Sequence, residues 1–255
     1  MANQHKHSGQ HNQGPQPPLR TATVTSADGT LVGYQSIGSG PGLIVLPGAL
    51  STGDDFLLFG QELADTFTLH LVDRRGRGRS GPQGCEYSIV KECEDVAAVQ
   101  AATGAAYLFG HSFGGFIALE AAKTHRFEKV AVYEPGISID HSIPLDWLPD
   151  FERALAARDD LAAFVAFSRP HVKIFQRMPL WLAKAAMRPA LRGELWEHMR
   201  PLLPSTVAEH KQVGVYDSTY QSYAAVTAPV LLVAGGKQAG GGEQGDQQVA
   251  HGAMP

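Results

Sequence analysis

Cysteine is scarce in this sequence: Cys85 and Cys93 are the two cysteines in a chain of 255 residues. Two cysteines supply neither a disulfide framework nor a four-ligand zinc site, and such sparse use is typical of a reducing compartment. Long hydrophobic runs are also absent, because none approaches the about 18 apolar residues of a membrane span. The N-terminal segment has no hydrophobic stretch that could act as a signal peptide. These absences predict a cytoplasmic protein that does not enter the membrane.

An excess of positive charge is missing too. Lys and Arg number 21 against 25 Asp and Glu, a net charge of −4, whereas nucleic-acid-binding domains are usually strongly basic. No cluster of potential ligands has the spacing of a metal site, and neither a metal nor a cofactor is expected. The composition, 44% hydrophobic and 18% charged, is that of a globular protein with a sizeable core. We expect a small-molecule partner, and the oligomeric state stays open.

Strand-like and helix-like segments alternate along most of the chain. The strand-like runs 21–26 and 30–37 are joined by Asp28-Gly29, a hairpin signal. The apolar run Gly42–Leu46 ends at Pro47-Gly48 and is typical of a strand buried on both faces. Further strands are predicted at 67–72, 107–109, 129–133 and 229–233, and helices at 54–65, 88–102 and 113–125. The alternation predicts an α/β fold: a mostly parallel sheet with helices on both faces.

Residues 141–215 interrupt this alternation with helical patterns and no strand-like run of comparable quality. We interpret them as a helical cap inserted into a core of residues 21–140 and 216–236. The polar residues 1–20 are predicted to be a disordered tail, and the glycine-rich residues 237–255 an irregular one, because both have little apolar surface to bury. The aromatic residues of the cap favour a small or medium-sized apolar substrate: Trp147, Phe151, Trp181 and Trp196.

The strongest chemical signal is Gly110-His111-Ser112-Phe113-Gly114, which lies between a predicted strand and a predicted helix. This is the pattern and context of a nucleophile elbow, a strained turn that exposes a serine hydroxyl above the sheet. Side chains at 110 and 114 would collide with the packed strand and helix. The helix that follows also points its N-terminus at the site, which stabilises developing negative charge. The alternative is a tight turn with an incidental serine.

A second signal is Leu46-Pro47-Gly48-Ala49, at the end of a buried strand. In an elbow architecture this loop supplies one N–H group of an oxyanion hole, and the residue after the nucleophile supplies the other. Those residues are Ala49 and Phe113. The alternative is an ordinary Pro-Gly turn.

Together these segments resemble the α/β-hydrolase superfamily, in particular bacterial-type members with a helical cap. The resemblance covers about residues 21–236 and is carried by five segments: Asp73–Gly81 (DRRGRGRSG), Glu94-Asp95, Gly110–Gly115, Val130–Pro135 and Ala228–Gly236. It implies a hydrolase that attacks an ester, lactone, thioester or amide bond through Ser112. Where the family commonly has His-Gly, this chain has Pro47-Gly48.

Four arginines follow the predicted strand at 67–72: Arg74, Arg75, Arg77 and Arg79. Such a run could be a phosphate-binding patch. The resemblance and the acidic balance of the chain instead favour a structural loop below the active site.

The general base and its carboxylate partner are not evident. In the family the acid follows the strand matched by Val230–Val233, and the histidine follows one further strand, but only about 20 residues remain here. They contain Asp246 and His251. Glu134 is another candidate acid, because some α/β-hydrolases carry the acid at the end of the strand after the nucleophile helix. Its alternative role is that of a hydrogen-bonded structural carboxylate.

Two functional hypotheses follow. The first is a serine hydrolase in which Ser112 is the nucleophile and His251 and Glu134 are the candidate base and acid. The second is a hydrolase-like protein that is truncated at its C-terminus, is catalytically impaired or inactive, and binds a small apolar ligand. The C-terminal segment distinguishes the two.

Overall fold

The fold is described from a computed structural model, which describes residues 18–170, 172–189 and 191–235. Asp246, His251 and nearly all of the two predicted tails lie outside these residues. The strands are β1 (Arg20–Thr25), β2 (Leu31–Gly38), β3 (Gly42–Leu46), β4 (Thr68–Asp73), β5 (Tyr107–His111), β6 (Lys129–Tyr133) and β7 (Val230–Val233). The α-helices are α1 (Leu57–Leu63), α2 (Ile89–Thr103), α3 (Phe113–Ala122), α4 (Leu148–Ala156), α5 (Asp160–Ser168), α6 (Lys173–Gln176), α7 (Leu180–Met187), α8 (Glu194–Met199) and α9 (Leu203–Val215).

The strands form one sheet in the order β1-β2-β4-β3-β5-β6-β7. β1 and β2 form the predicted antiparallel hairpin, with Gly29 at a φ of 86° in its turn, and β2 is also antiparallel to β4. The other neighbouring strands are parallel. Parallel neighbours need crossover connections, which here are helices. The predicted α/β fold with a mostly parallel sheet is confirmed.

Hydrophobic cores lie on both faces of the sheet. On one face, α2 and α3 contribute Val96, Phe116 and Ile117 to the larger core. On the other, Phe59 and Leu63 of α1 pack against a smaller cluster of buried strand residues. The predicted coverage of both faces by helices is therefore confirmed, and the strands between these helices are apolar because neither of their faces meets water.

Two predicted helices are shorter than their sequence patterns. α1 begins at Leu57 rather than at residue 54, because Gly53–Phe56 forms a tighter 3-10 turn. α3 ends at Ala122 rather than at residue 125. After Ala122, the Lys123 and Thr124 N–H groups donate to carbonyls three residues back, the tightening that is common at helix ends. Neither difference moves the elbow or the loop after β3.

Helices α4–α9, here called the helical region, lie between β6 and β7, and the described residues of this interval include no strand. The region has its own hydrophobic cluster, in which Trp147 is 6% exposed and Phe151 is fully buried. Packing therefore accounts for these two aromatic residues without a substrate. Trp181 is 71% exposed. No described helix combines the length and the apolar character that crossing a membrane requires.

The start of α3 packs directly against the ends of two strands. A Cβ on Gly110 would lie 2.2 Å from the Gly114 carbonyl oxygen, and a Cβ on Gly114 would lie 2.2 Å from the Leu46 carbonyl oxygen. Real Cβ atoms do not approach backbone oxygen so closely. The glycines of the predicted elbow are therefore required by the approach of β3, β5 and α3.

We predict that Gly114→Ala destabilises the protein more than Gly115→Ala. The Gly115 Cβ would meet Pro135 at 3.0 Å, a contact that a small shift can relieve. The gain in helix propensity, about 1 kcal/mol, applies at both positions of α3 and offsets the small cost at Gly115. It does not offset the overpacking at Gly114, which costs about 1–3 kcal/mol or more. Urea unfolding of both variants measures the difference. Equal midpoints would show that α3 is not held against β3.

Candidate active site

Ser112 occupies the junction between β5 and α3. Its φ of 52° and ψ of −121° lie in a region that non-glycine residues rarely adopt. The Ser112 N–H donates to the Tyr133 carbonyl at 2.9 Å. The Ser112 carbonyl accepts bonds of 2.8 to 3.1 Å from three N–H groups, those of Gly115, Phe116 and Gly136. The surrounding backbone thus imposes the strained conformation, and such strain is concentrated at functional sites.

The loop Pro47–Ser51 follows β3 and runs beside Ser112. A Cβ on Gly48 would lie 3.0 Å from the Cβ of Ser112. The backbone N–H groups of Ala49 and Phe113 have no hydrogen-bond acceptor among the described residues. For Phe113 this follows from its place as the first residue of α3, since the first N–H groups of a helix have no partner within the helix. Two unpaired N–H donors therefore flank the serine within this part of the chain.

Two buried arginines contact the backbone of this loop. The Gly48 carbonyl accepts hydrogen bonds from Arg74 Nη1 at 3.1 Å and from Arg77 Nη1 at 3.0 Å. Arg77 Nη1 also donates to the Ser51 carbonyl at 3.0 Å. The Arg74 guanidinium lies over the Phe113 ring, 4.7 Å from its centroid. These arginines therefore contact both segments whose N–H groups flank Ser112.

Carboxylates neutralise the two arginines. Arg74 pairs with Glu92 of α2 at 2.9 Å and with Glu209 of α9 at 2.7 Å, and Arg77 also pairs with Glu209. Burial lowers the pKa of the Arg74 guanidinium, but the charges of Glu209 and Glu92 outweigh it and the pKa is raised. Burial also lowers the pKa of Arg77, and there the nearby Arg74 charge adds to the effect. The four side chains form one buried cluster, here called the arginine–glutamate cluster.

The other two arginines of the run also have structural partners. Arg75 pairs with Asp95 at 2.7 Å and with Asp28 at 2.9 Å, and it is almost fully buried. Arg79 pairs with Asp73 at 2.8 Å and with Asp54 at 3.0 Å. A phosphate-binding patch needs exposed, unpaired guanidinium groups. The run is instead the structural loop favoured by the sequence.

His111 and Glu134 border the site at the ends of β5 and β6. The His111 ring stacks on Tyr133 with centroids 5.3 Å apart. Burial lowers the pKa of His111, while the Glu134 charge acts in the opposite direction. Glu134 is exposed, has a φ of 44°, and accepts a hydrogen bond from the Gly235 N–H at 3.1 Å. This contact fits its alternative role as a hydrogen-bonded structural carboxylate.

No side chain of the described residues hydrogen-bonds to the Ser112 hydroxyl. The described histidines have other contacts; His70, for example, pairs with Ser36 at 2.8 Å and His198 with Asp55 at 2.9 Å. Within the described residues no group of three or more ligand-type side chains could hold a metal ion. His251 and Asp246, the candidates in the C-terminal segment, lie outside the described residues.

Sequence reasoning missed Glu209. It lies 135 positions from Arg74 and 132 from Arg77. No local pattern joins residues so far apart, and a single glutamate in an amphipathic helix has the appearance of a surface residue. The only available signal was indirect: buried arginines are rarely left without a carboxylate, and a loop with four of them needs several partners.

Two cavities of about 420 and 390 Å³ lie on the helical region rather than beside Ser112. The larger is bordered by Arg158, Arg188, Arg192 and Trp196, the smaller by Trp147 and Arg169. Neither is lined by Ser112, Ala49 or Phe113. The site at Ser112 is therefore defined by its backbone geometry and not by either of these cavities.

We predict that Ser112→Gly is more stable than Ser112→Ala. Both variants lose the hydroxyl, but only glycine adopts the φ of 52° without strain. Relief of strain contributes about 1–3 kcal/mol, which exceeds the about 0.4–1 kcal/mol that glycine costs through the unfolded chain. Urea unfolding tests this. A Gly variant that is less stable than the Ala variant would mean that the turn is relaxed.

Comparison with known proteins shows which family the sequence matches. The sequence model of the alpha/beta hydrolase family matches residues 43–254. The pimeloyl-[acyl-carrier protein] methyl ester esterase of Stenotrophomonas maltophilia (strain K279a) is 41% identical over 87 residues, which are 34% of this chain and 32% of that protein. The chain thus matches only about a third of the length of this curated relative.

Solved structures agree over a longer span. An alpha/beta hydrolase from Sphaerobacter thermophilus DSM 20745 superposes with a TM-score of 0.72 at 31% identity, covering 85% of this chain and 83% of that one. The enol-lactonase from Burkholderia xenovorans LB400 has the same fold, with a TM-score of 0.60 at 18% identity over 84% of this chain and 80% of that one. With the family match over most of its length, this chain belongs to the alpha/beta hydrolase family.

Proposed function

We propose that this hydrolase is a serine esterase in which Ser112 is the nucleophile. The observation that carries the proposal is the strained turn at Ser112, which is flanked by the Ala49 and Phe113 N–H groups. No hydrogen bond among the described residues needs a serine at this position, since its hydroxyl bonds to none of them. A strained backbone, two unpaired N–H donors and a hydroxyl without a hydrogen-bond partner are together the features of a nucleophile with its oxyanion hole.

The reaction follows from this arrangement. The Ser112 oxygen bonds to the carbonyl carbon of an ester as its proton passes to a base, and the carbonyl oxygen takes up the negative charge. The Ala49 and Phe113 N–H groups stabilise that oxyanion, and the N-terminus of α3 adds a favourable dipole. The alcohol then leaves with the proton, and water releases the acid from the acyl-enzyme.

We propose His251 as the base and Glu134 as the acid. The chain order Ser, acid, His of this fold places the histidine after β7. His251 is the only histidine after Val233, and the family match extends to residue 254. Glu134 directly follows β6, the strand next to β5, and its charge acts on His111, the neighbour of Ser112.

The proposal that the substrate is an ester is based on the similar proteins. A matching segment belongs to a methyl ester esterase, and a protein of the same fold is an enol-lactonase, so both act at an acyl–oxygen bond. We propose a small or medium-sized substrate with an apolar acyl chain. A series of p-nitrophenyl esters of increasing acyl length tests this preference: kcat/KM rises with chain length if the acyl site is apolar and is flat or falling if it is not.

We predict that a fluorophosphonate probe labels Ser112. Mass spectrometry of the wild-type protein locates the adduct on the peptide that contains Ser112, and Ser112→Ala loses both the label and ester hydrolysis. The exposed Ser39→Ala is the matched control and keeps both. A label on another serine, or equal labelling of Ser112→Ala, would refute the nucleophile assignment.

We predict that His251→Ala lowers kcat on an activated ester by about 10²–10⁴-fold, the usual contribution of general acid–base catalysis. The control is His125→Ala, because His125 follows the C-terminal end of α3 and the elbow lies at its N-terminal end. This variant is expected to retain wild-type kcat. Circular dichroism and urea unfolding establish that both variants fold. A folded His251→Ala with wild-type kcat would exclude His251 as the base.

A further inference from the structure

We propose that Glu209 is a positioning residue for the oxyanion hole. From α9 it holds Arg74 and Arg77 against the Gly48 carbonyl, and it thereby orients the Ala49 N–H beside Ser112. The helical region is then part of the catalytic apparatus rather than only a cover for the substrate. This inference rests on the proposed function, because it concerns the oxyanion hole of that same site.

The arginines grip the loop Pro47–Ser51 at several points. Arg74 Nη1 donates to the Gly48 carbonyl at 3.1 Å and to the Pro47 carbonyl at 3.4 Å. Arg77 Nη1 donates to the carbonyls of Gly48 and Ser51, both at 3.0 Å. Three carbonyls of this loop, those of Pro47, Gly48 and Ser51, are therefore held by the two guanidinium groups.

The hydrogen bonds to the Gly48 carbonyl determine the direction of the Ala49 N–H. In a planar trans peptide the C=O and the N–H point in opposite directions. With the Gly48 oxygen held by two guanidinium groups, the Ala49 N–H of the same peptide must point away from them. Hydrogen bonds to the carbonyl also polarise the peptide, which makes its N–H a stronger donor. The orientation of one half of the oxyanion hole thus depends on the two arginines.

Glu209 and Ser205 connect these arginines to the helical region. They lie four residues apart on α9 and so share one face of that helix. Glu209 is fully buried and accepts from both arginines, and Ser205 Oγ accepts from Arg77 Nη2 at 3.0 Å. Leu50 packs against the hydrophobic cluster of the helical region as a second attachment.

Stability alone is a weak reason for such a cluster. Replacing a buried ion network by apolar residues of similar volume is often neutral or stabilising. The neighbouring pair of Arg75 and Asp95 is also buried, but Arg75 donates to Asp95, Asp28 and the Lys91 carbonyl and does not contact the loop Pro47–Ser51. This pair supplies a matched control. A variant of it loses a buried charge but keeps the hydrogen bonds from the arginines to the loop Pro47–Ser51.

The test compares Glu209→Gln with Asp95→Asn in the full-length protein. We expect Glu209→Gln to speed amide hydrogen exchange of residues 48–51 by about tenfold or more, because the loop opens locally more often. We also expect the rate constant for fluorophosphonate inactivation, and kcat for ester hydrolysis, to fall about 10- to 100-fold with little change in KM, the usual cost of a misplaced catalytic group. Asp95→Asn changes neither the exchange nor the rates.

Each outcome decides the proposal. It is overturned if Glu209→Gln leaves the exchange of residues 48–51 unchanged, if the loop loosens without a fall in the inactivation rate, or if Asp95→Asn has the same effects. A wild-type protein that the probe does not label at Ser112 refutes the proposed function, and the exchange data then decide separately whether Glu209 holds the loop. If Glu209→Gln does not fold, Glu209→Asp keeps the charge but withdraws it by one methylene, and intermediate effects on the same measurements are expected.

Discussion

The close packing of the turn at Ser112 against β3 and β5 is the constraint on which the rest of the structure depends. The start of α3 meets the backbone of Leu46 and Gly110 directly, at distances that exclude any side chain at 110 or 114. The strands must therefore be parallel and adjacent at this point, and the serine must take a strained conformation to turn the chain. The same packing brings the loop after β3 beside the hydroxyl, so the fold and the proposed chemistry have one geometric origin.

The arginine–glutamate cluster connects the loop beside Ser112 to more distant parts of the fold. Burying four charges is costly, and it is tolerated only where each charge is paired and hydrogen-bonded. Here the guanidinium groups also donate to backbone carbonyls of the loop Pro47–Ser51, and the bond to the Gly48 carbonyl is buried. A buried carbonyl without a donor would be costly. The cluster thus couples three parts of the chain that are distant in sequence: the loop after β3, helix α2 and helix α9.

Local patterns predicted most of the fold. The predicted bounds of β3 and β6 match the structure, and the apolar run of β3 is limited by the Pro47-Gly48 turn that follows it. The predicted helix 88–102 matches α2 to within one residue at each end. The elbow was predictable because its glycines report a close approach within five residues. Glu209 was not, because its partners lie more than 130 positions away. The aromatic residues Trp147 and Phe151 suggested a substrate site, but they form the core of the helical region, since periodicity does not distinguish packing from binding.

The central claim is that Ser112 is a nucleophile whose oxyanion is held by the Ala49 and Phe113 N–H groups. A crystal structure of the protein inactivated by a phosphonate ester tests it most directly. The account predicts a bond from Ser112 Oγ to phosphorus and a phosphonyl oxygen about 2.7–3.1 Å from both nitrogens. A phosphonyl oxygen that contacts neither nitrogen, or an adduct on a different residue, would contradict it.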